Sequence, residues 1–105
     1  MRTKPGEVWL ADLGLAAKTR PILIVSREDT DPPRSLIIYV PITTKSRGSA
    51  YEVVLDRPSF LREPSAVNVQ GVGSIPTQRL ERRLGAISEE KLNRVKAALR
   101  FALEL

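Results

Sequence analysis

The segment Pro21-Ile-Leu-Ile-Val-Ser26 is apolar until its last residue and of strand length. A run of this kind is buried on both faces, so it belongs in the middle of a sheet rather than at an edge. Pro21 has no N–H to give a ladder, so it is expected to open the strand rather than sit inside it. A chain with such a strand must supply further strands on either side of it.

The rest of the sequence supplies them. Pro5-Gly6 marks a turn, after which Glu7 to Asp12 reads as a strand with Val8, Leu10 and Leu13 on one side. Leu13 to Thr19 is a loop of small residues. Glu28 to Arg34, with two Asp and two Pro, is an exposed loop. Ser35 to Val40 is a third strand, and Ala50 to Leu55 a fourth, expected to pair with it. Arg57 to Glu63 turns around Pro58. Ala66 to Val69 is a short strand, and Gln70 to Ile75 continues it with two glycines. Pro76 to Leu80 suits one helical turn, and Arg83 to Ile87 a last strand.

The chain closes with a helix. Ser88 is an N-cap, and Glu89 and Glu90 stand at the positive end of the helix dipole. Leu92, Val95, Leu99 and Leu103 form one apolar stripe. Phe101 and Leu105 lie beside it and exceed what one small sheet needs, which predicts self-association. The fold class is therefore mainly β with a C-terminal α-helix, a barrel-like antiparallel sheet in one domain spanning residues 1–105.

Composition narrows the chemistry. The 105 residues include 17 Lys and Arg against 12 Asp and Glu, a net charge of +5. That excess suits a polyanionic partner. There is no cysteine and no histidine. Thiolate zinc sites, cysteine nucleophiles and the usual neutral-pH acid/base are thereby excluded. No metal and no cofactor is expected. No apolar run is long enough to span a membrane, and the N-terminus lacks a signal-peptide core, so a cytoplasmic location is the expectation.

Candidate site residues gather in two places. Lys18, Thr19 and Arg20 stand together at the mouth of the central strand. An arginine there is often a surface ion-pair partner, but held at a rigid strand end it can grip a phosphate bidentately. Thr43, Thr44, Lys45, Ser46 and Arg47 fill the turn after the third strand. The hydroxyls could satisfy turn backbone groups, or orient a phosphate beside the two cations. They have no base that would make them nucleophiles. Gly71-Val-Gly73 lacks the third glycine of a dinucleotide loop, Pro76 standing in its place, so a close backbone approach explains it better. Trp9 and Tyr51 are expected in core or half-buried positions rather than stacked on bases.

Taken in order, Gly6-Glu-Val-Trp-Leu-Ala-Asp12, Arg20-Pro-Ile-Leu-Ile-Val25, Val40-Pro-Ile-Thr-Thr-Lys-Ser-Arg-Gly48, Tyr51-Glu-Val-Val-Leu55, Ser65-Ala-Val-Asn-Val-Gln70 and Arg83-Leu-Gly-Ala-Ile87 resemble the MazF/PemK family of toxin endoribonucleases. The resemblance implies an SH3-like barrel, a homodimer and metal-independent cleavage of single-stranded RNA at short sequences. It also implies inhibition by a cognate antitoxin, and operator DNA binding only as the toxin–antitoxin complex. By the same resemblance Arg20 looks like the catalytic arginine and Thr43 like the catalytic threonine. Gln70 looks like the glutamine near the RNA groove. One departure stands out: the stretch before the arginine, Leu15-Ala-Ala-Lys-Thr19, is shorter than in many family members and carries neither Glu nor Gln.

The chemistry agrees with this residue set. RNA carries its own nucleophile, the 2′-OH, so the protein need only orient the ribose and stabilise charge on the phosphate. Two other readings are kept: a non-catalytic, CcdB-like toxin that binds DNA gyrase, and a nucleic-acid-binding regulator that does not cut.

Overall fold

The computed structural model describes residues 2–14 and 18–105. Seven strands precede one helix: β1 (Glu7–Asp12), β2 (Thr19–Ile24), β3 (Leu36–Thr43), β4 (Glu52–Asp56), β5 (Ser65–Asn68), β6 (Gly73–Pro76), β7 (Leu80–Ala86) and α1 (Glu89–Leu103). Single 3₁₀ turns at Val69–Gly71 and Thr77–Arg79 lead into and out of β6. The second of these is the helical turn expected after Pro76.

All pairings are antiparallel, in the order β4-β5-β3-β2-β1-β7, with β6 also on β3. The path ends at β4 and β7 without joining them, so the bent sheet is barrel-like but open. β2 lies inside it, as its apolar run requires, and divides its side chains between two cores. Leu23 joins Val8, Val40, Val67 and Val95. Ile22 and Ile24 join Trp9, Ala11, Ile37 and Leu80 on the other face. All three β2 residues are fully buried, and each such side chain is worth about 1.5–3 kcal/mol relative to an exposed one.

The structure corrects five expectations. Gln70 to Ile75 does not continue the strand before it: the 3₁₀ turn at Val69–Gly71 breaks the chain, and β6 starts anew at Gly73. β4 pairs with β5 rather than with β3, because β3's C-terminal end is already taken by β5 at Ile42↔Val67 and Thr43↔Ala66. Pro21 does not open β2 but is its third residue. It lies opposite Leu10 of β1, while the β3 ladder begins only at Ile22, so no β3 bond is lost there. Leu13 packs against the Trp9 core, opposite to the face of Val8. On α1 Val95 is buried and Leu99 packs against the same core, as the stripe expects, and Ala98 is buried as well, whereas Leu103 is 51% exposed. Ala98 stands beside Val53 and Val54 of β4.

The helix N-terminus is as expected: Ser88 Oγ accepts from the Lys91 N–H at 3.2 Å. Trp9 is buried, and its indole N–H donates to Glu7 Oε1 at 3.0 Å. It is a core residue and no stacking platform.

Candidate nucleic-acid interface

Two strand ends and one turn build the site. The β2–β3 ladder pairs Ile24 with Tyr39, Leu23 with Val40 and Ile22 with Pro41. The ladder stops there, and Arg20 and Thr43 each stand two residues beyond its last pair, at the same end of the two neighbouring strands. Strand alternation puts both on the face that carries Ile22 and Ile24. Arg20 is exposed and pairs in the ladder with Ala11 of β1. Thr43 is the last residue of β3 and half-buried.

The turn after Thr43 is organised by its own polar groups. Thr43 Oγ1 accepts from the Lys45 N–H at 3.0 Å. That use occupies a lone pair and leaves the hydroxyl proton to donate elsewhere. Ser46 Oγ accepts from the Gly48 N–H at 3.3 Å. Glu52 holds the far side, accepting from the Ser49 N–H at 2.9 Å and the Arg47 N–H at 3.0 Å. These backbone bonds, Ser49 first and Arg47 next, lower the Glu52 pKa from its ordinary value. A fixed turn of this kind holds Lys45 and Arg47 at the surface without consuming their charges in the backbone network.

Thr43, Lys45, Arg47, Tyr51, Asn68 and Gln70 line a groove of about 520 Å³, together with Ser49 and Glu52. Gln70 is exposed in the 3₁₀ turn after β5, and Asn68 caps that turn by accepting from the Gln70 N–H at 3.1 Å. The sequence pattern had not singled out Asn68. An Asn two residues before an exposed Gln and followed by Gly71 is the capping signal that would have found it. Tyr51 is half-buried, with its ring 5.3 Å from that of Phe101.

The other candidates are spread around this centre. Lys18, with φ of 54°, closes the β1–β2 loop: its carbonyl accepts from the Leu13 N–H at 2.9 Å. Residues 15–17, where the family pattern differs, lie outside the described residues. Thr19 Oγ1 donates to Glu81 Oε2 at 3.3 Å. Thr44 points away from Thr43 and lines a separate hollow with Leu10, Pro21 and Phe60. Ser46 lies outside the groove. No group of three or more acidic residues among the described residues is placed to hold a metal ion.

Known proteins resemble the chain over nearly its whole length. The family model for the PemK-like, MazF-like toxin of type II toxin–antitoxin systems matches residues 4–103. A "Probable endoribonuclease MazF5" of Mycobacterium tuberculosis is 33% identical over 100 residues, 94% of this chain and 91% of that protein. The solved Mycobacterium tuberculosis toxin MazF-mt6 superposes with a TM-score of 0.83 at 32% identity, over 94% of this chain and 97% of that one. An endoribonuclease in complex with its cognate antitoxin, from a mycobacterial species, gives 0.84 at 26% identity, over 98% and 96%.

Proposed function

The chain belongs to the PemK-like, MazF-like toxins of type II toxin–antitoxin systems and is an endoribonuclease toxin, and we propose that it cuts single-stranded mRNA at a short sequence by metal-independent attack of a ribose 2′-OH. The observation that supports this reading is that Thr43, Lys45, Arg47 and Gln70 line one groove, with Arg20 at the adjoining end of the neighbouring strand. In-line attack of the 2′-OH on the adjacent phosphorus forms the P–O2′ bond and breaks the P–O5′ bond, the O2′ proton passing to water and the departing 5′ oxygen taking a proton from water. The products are a 2′,3′-cyclic phosphate and a 5′-OH end. Arg20 stabilises the charge that builds on the non-bridging oxygens, and the Thr43 O–H donates to one of them. Lys18, Thr19, Lys45, Arg47 and Gln70 hold the flanking backbone and ribose, with Thr44 and Ser46 at the margin. Arginine keeps its proton in proteins, so Arg20 acts as a cation and not as a base.

Cleavage inhibits translation and growth in this reading. The protein works as a homodimer in the cytoplasm. A cognate antitoxin covers the groove with an acidic segment, and only that complex binds operator DNA. No helix among the described residues is long and apolar enough to cross a membrane. The gyrase-directed, non-catalytic alternative is not favoured, since the relatives are endoribonucleases. The test is incubation with a long synthetic RNA in EDTA, followed by end mapping. Discrete cuts with 5′-OH ends are expected. Cleavage that needs added Mg²⁺, or that leaves 5′-phosphates, would refute the mechanism.

A further inference from the structure

A second hollow, of about 360 Å³, lies on the reverse face of the same strand ends. Across the sheet, Arg82 of β7 pairs with Leu10 of β1, and Leu10 pairs with Pro21 of β2. Leu10, Pro21 and Leu84 form an apolar floor, and Phe60 and Leu61 from the β4–β5 connection form a wall. That wall is fixed. A Cβ built on Gly85 of β7 would run into the Phe60 ring, and Leu61 is buried in the core. Arg62, Arg82 and Thr44 stand around the mouth, with Glu63 the one carboxylate there.

The position of the hollow gives it a use. Pro21 follows Arg20 and Thr44 follows Thr43, so each candidate catalytic residue has a neighbour that lines the hollow. A single strand whose phosphate lies at Arg20 and Thr43 needs only to cross the strand ends to bring an adjoining nucleotide there. The lining matches a nucleotide in two respects. Its floor and wall are apolar, as a base face requires, and two guanidiniums at the mouth match a phosphate. Its volume lies in the range of about 300–1,000 Å³ typical of small-ligand sites.

Resting on the RNA-cleavage reading above, we propose that this hollow is a nucleotide subsite. One base flanking the scissile phosphate inserts against Leu10, Pro21 and Phe60. Arg62 and Arg82 hold the phosphate of that nucleotide. The subsite contributes to the choice of sequence at one position of the cleavage motif.

The test separates binding from cutting. Oligonucleotides carrying 2′-fluoro groups, which cannot undergo 2′-OH attack, are titrated by fluorescence anisotropy with one abasic replacement at each position in turn. In the wild-type protein one position should lose about tenfold or more in affinity, the range of a lost base stack. In Arg82→Ser, Arg62→Ser and Thr44→Trp, which change exposed positions at the mouth, that penalty should shrink to about twofold or less. No outstanding position, or an equal penalty in all three variants, overturns the subsite. Cleavage of unmodified RNA is followed in parallel. Wild-type protein that cuts RNA without a positional penalty sinks the subsite alone. A penalty abolished by the variants, in a protein that does not cut, supports the subsite and sinks the catalytic reading.

Discussion

Gly71 faces the ring of Pro41 so closely that a Cβ on residue 71 would lie 2.5 Å from Cγ and 2.9 Å from Cδ of the proline. Pro41 sits where the edge of β3 passes from β6 to β5 through the Val69–Gly71 turn. A glycine there is a steric requirement, and the clash falls two residues from Thr43. Gly71→Ala should destabilise the fold by about 1–3 kcal/mol, as overpacking does. Urea unfolding followed by tryptophan fluorescence checks this. A midpoint unchanged from wild type would show that the contact is slack.

Arg20→Ala should remain folded and lose about 10²–10³ in cleavage rate, the usual cost of one preorganised donor. Thr43→Val should lose less but clearly, and Thr44→Val, which keeps the shape of a residue on the other face, should retain near-normal cleavage. Circular dichroism and single-turnover RNA cleavage are the measurements. Full activity in a folded Arg20→Ala protein would remove Arg20 from the mechanism.

Local signals made the elements legible, and distance along the chain hid their partners. The apolar run of β2, the Ser88 cap and the turn at Thr77 are statements about neighbouring residues, and each holds, although β2 begins two residues before Pro21. The partner of β4 is not such a statement. β3 has an edge long enough for two short strands, and only the break at Gly71 shows that β6 and β5 share it. The stripe on α1 failed at Leu103, which is the last helical residue and is half exposed, while Ala98, outside the stripe, is buried. In the site, Thr43 and Thr44 are equivalent by composition. Only alternation at the end of β3 sends one into the groove and the other into the hollow behind it.

Glu52 gives the turn a pH dependence. Its carboxylate is held below the ordinary value by N–H donors of Ser49 and Arg47, so its contribution is present above the unfolded-state pKa. It is lost as pH falls through the lower folded-state value. Amide exchange at Arg47 and Ser49 should therefore stay protected at neutral pH and rise under acid. In Glu52→Gln it should be raised at neutral pH as well. Equal protection in the variant would show that the carboxylate does not hold the turn.

Lys91 closes part of the outer edge of β4. Its Nζ donates to the Val54 carbonyl at 2.7 Å and lies 3.8 Å from Asp56 Oδ2, where the ladder is irregular. Lys91→Met keeps the stem and loses the donor. It should cost about 1 kcal/mol. Light scattering should also show more concentration-dependent association, because an uncovered strand edge invites pairing. Unaltered scattering would mean that α1 alone protects the edge.

Phe101, Leu103 and Leu105 are 57%, 51% and 84% exposed. Together with the homodimer that the family resemblance implies, they predict a dimer at micromolar concentration. RNA binding should weaken steeply with salt as phosphate contacts are lost. Sedimentation equilibrium that fits a monomer throughout would refute the dimer, and salt-independent RNA affinity would refute the basic groove.

The order of the sheet also bears on when the site is braced. β1 flanks β2, the strand that presents Arg20, yet its other edge belongs to β7, between Leu80 and Ala86. A nascent chain that has emerged only through Thr43 already carries both candidate catalytic residues, but β1 still lacks one neighbour and β3 lacks β5 and β6. Pairings so distant in sequence form late and together. The two candidate catalytic residues are therefore made early in the chain but braced by strands that come from its second half.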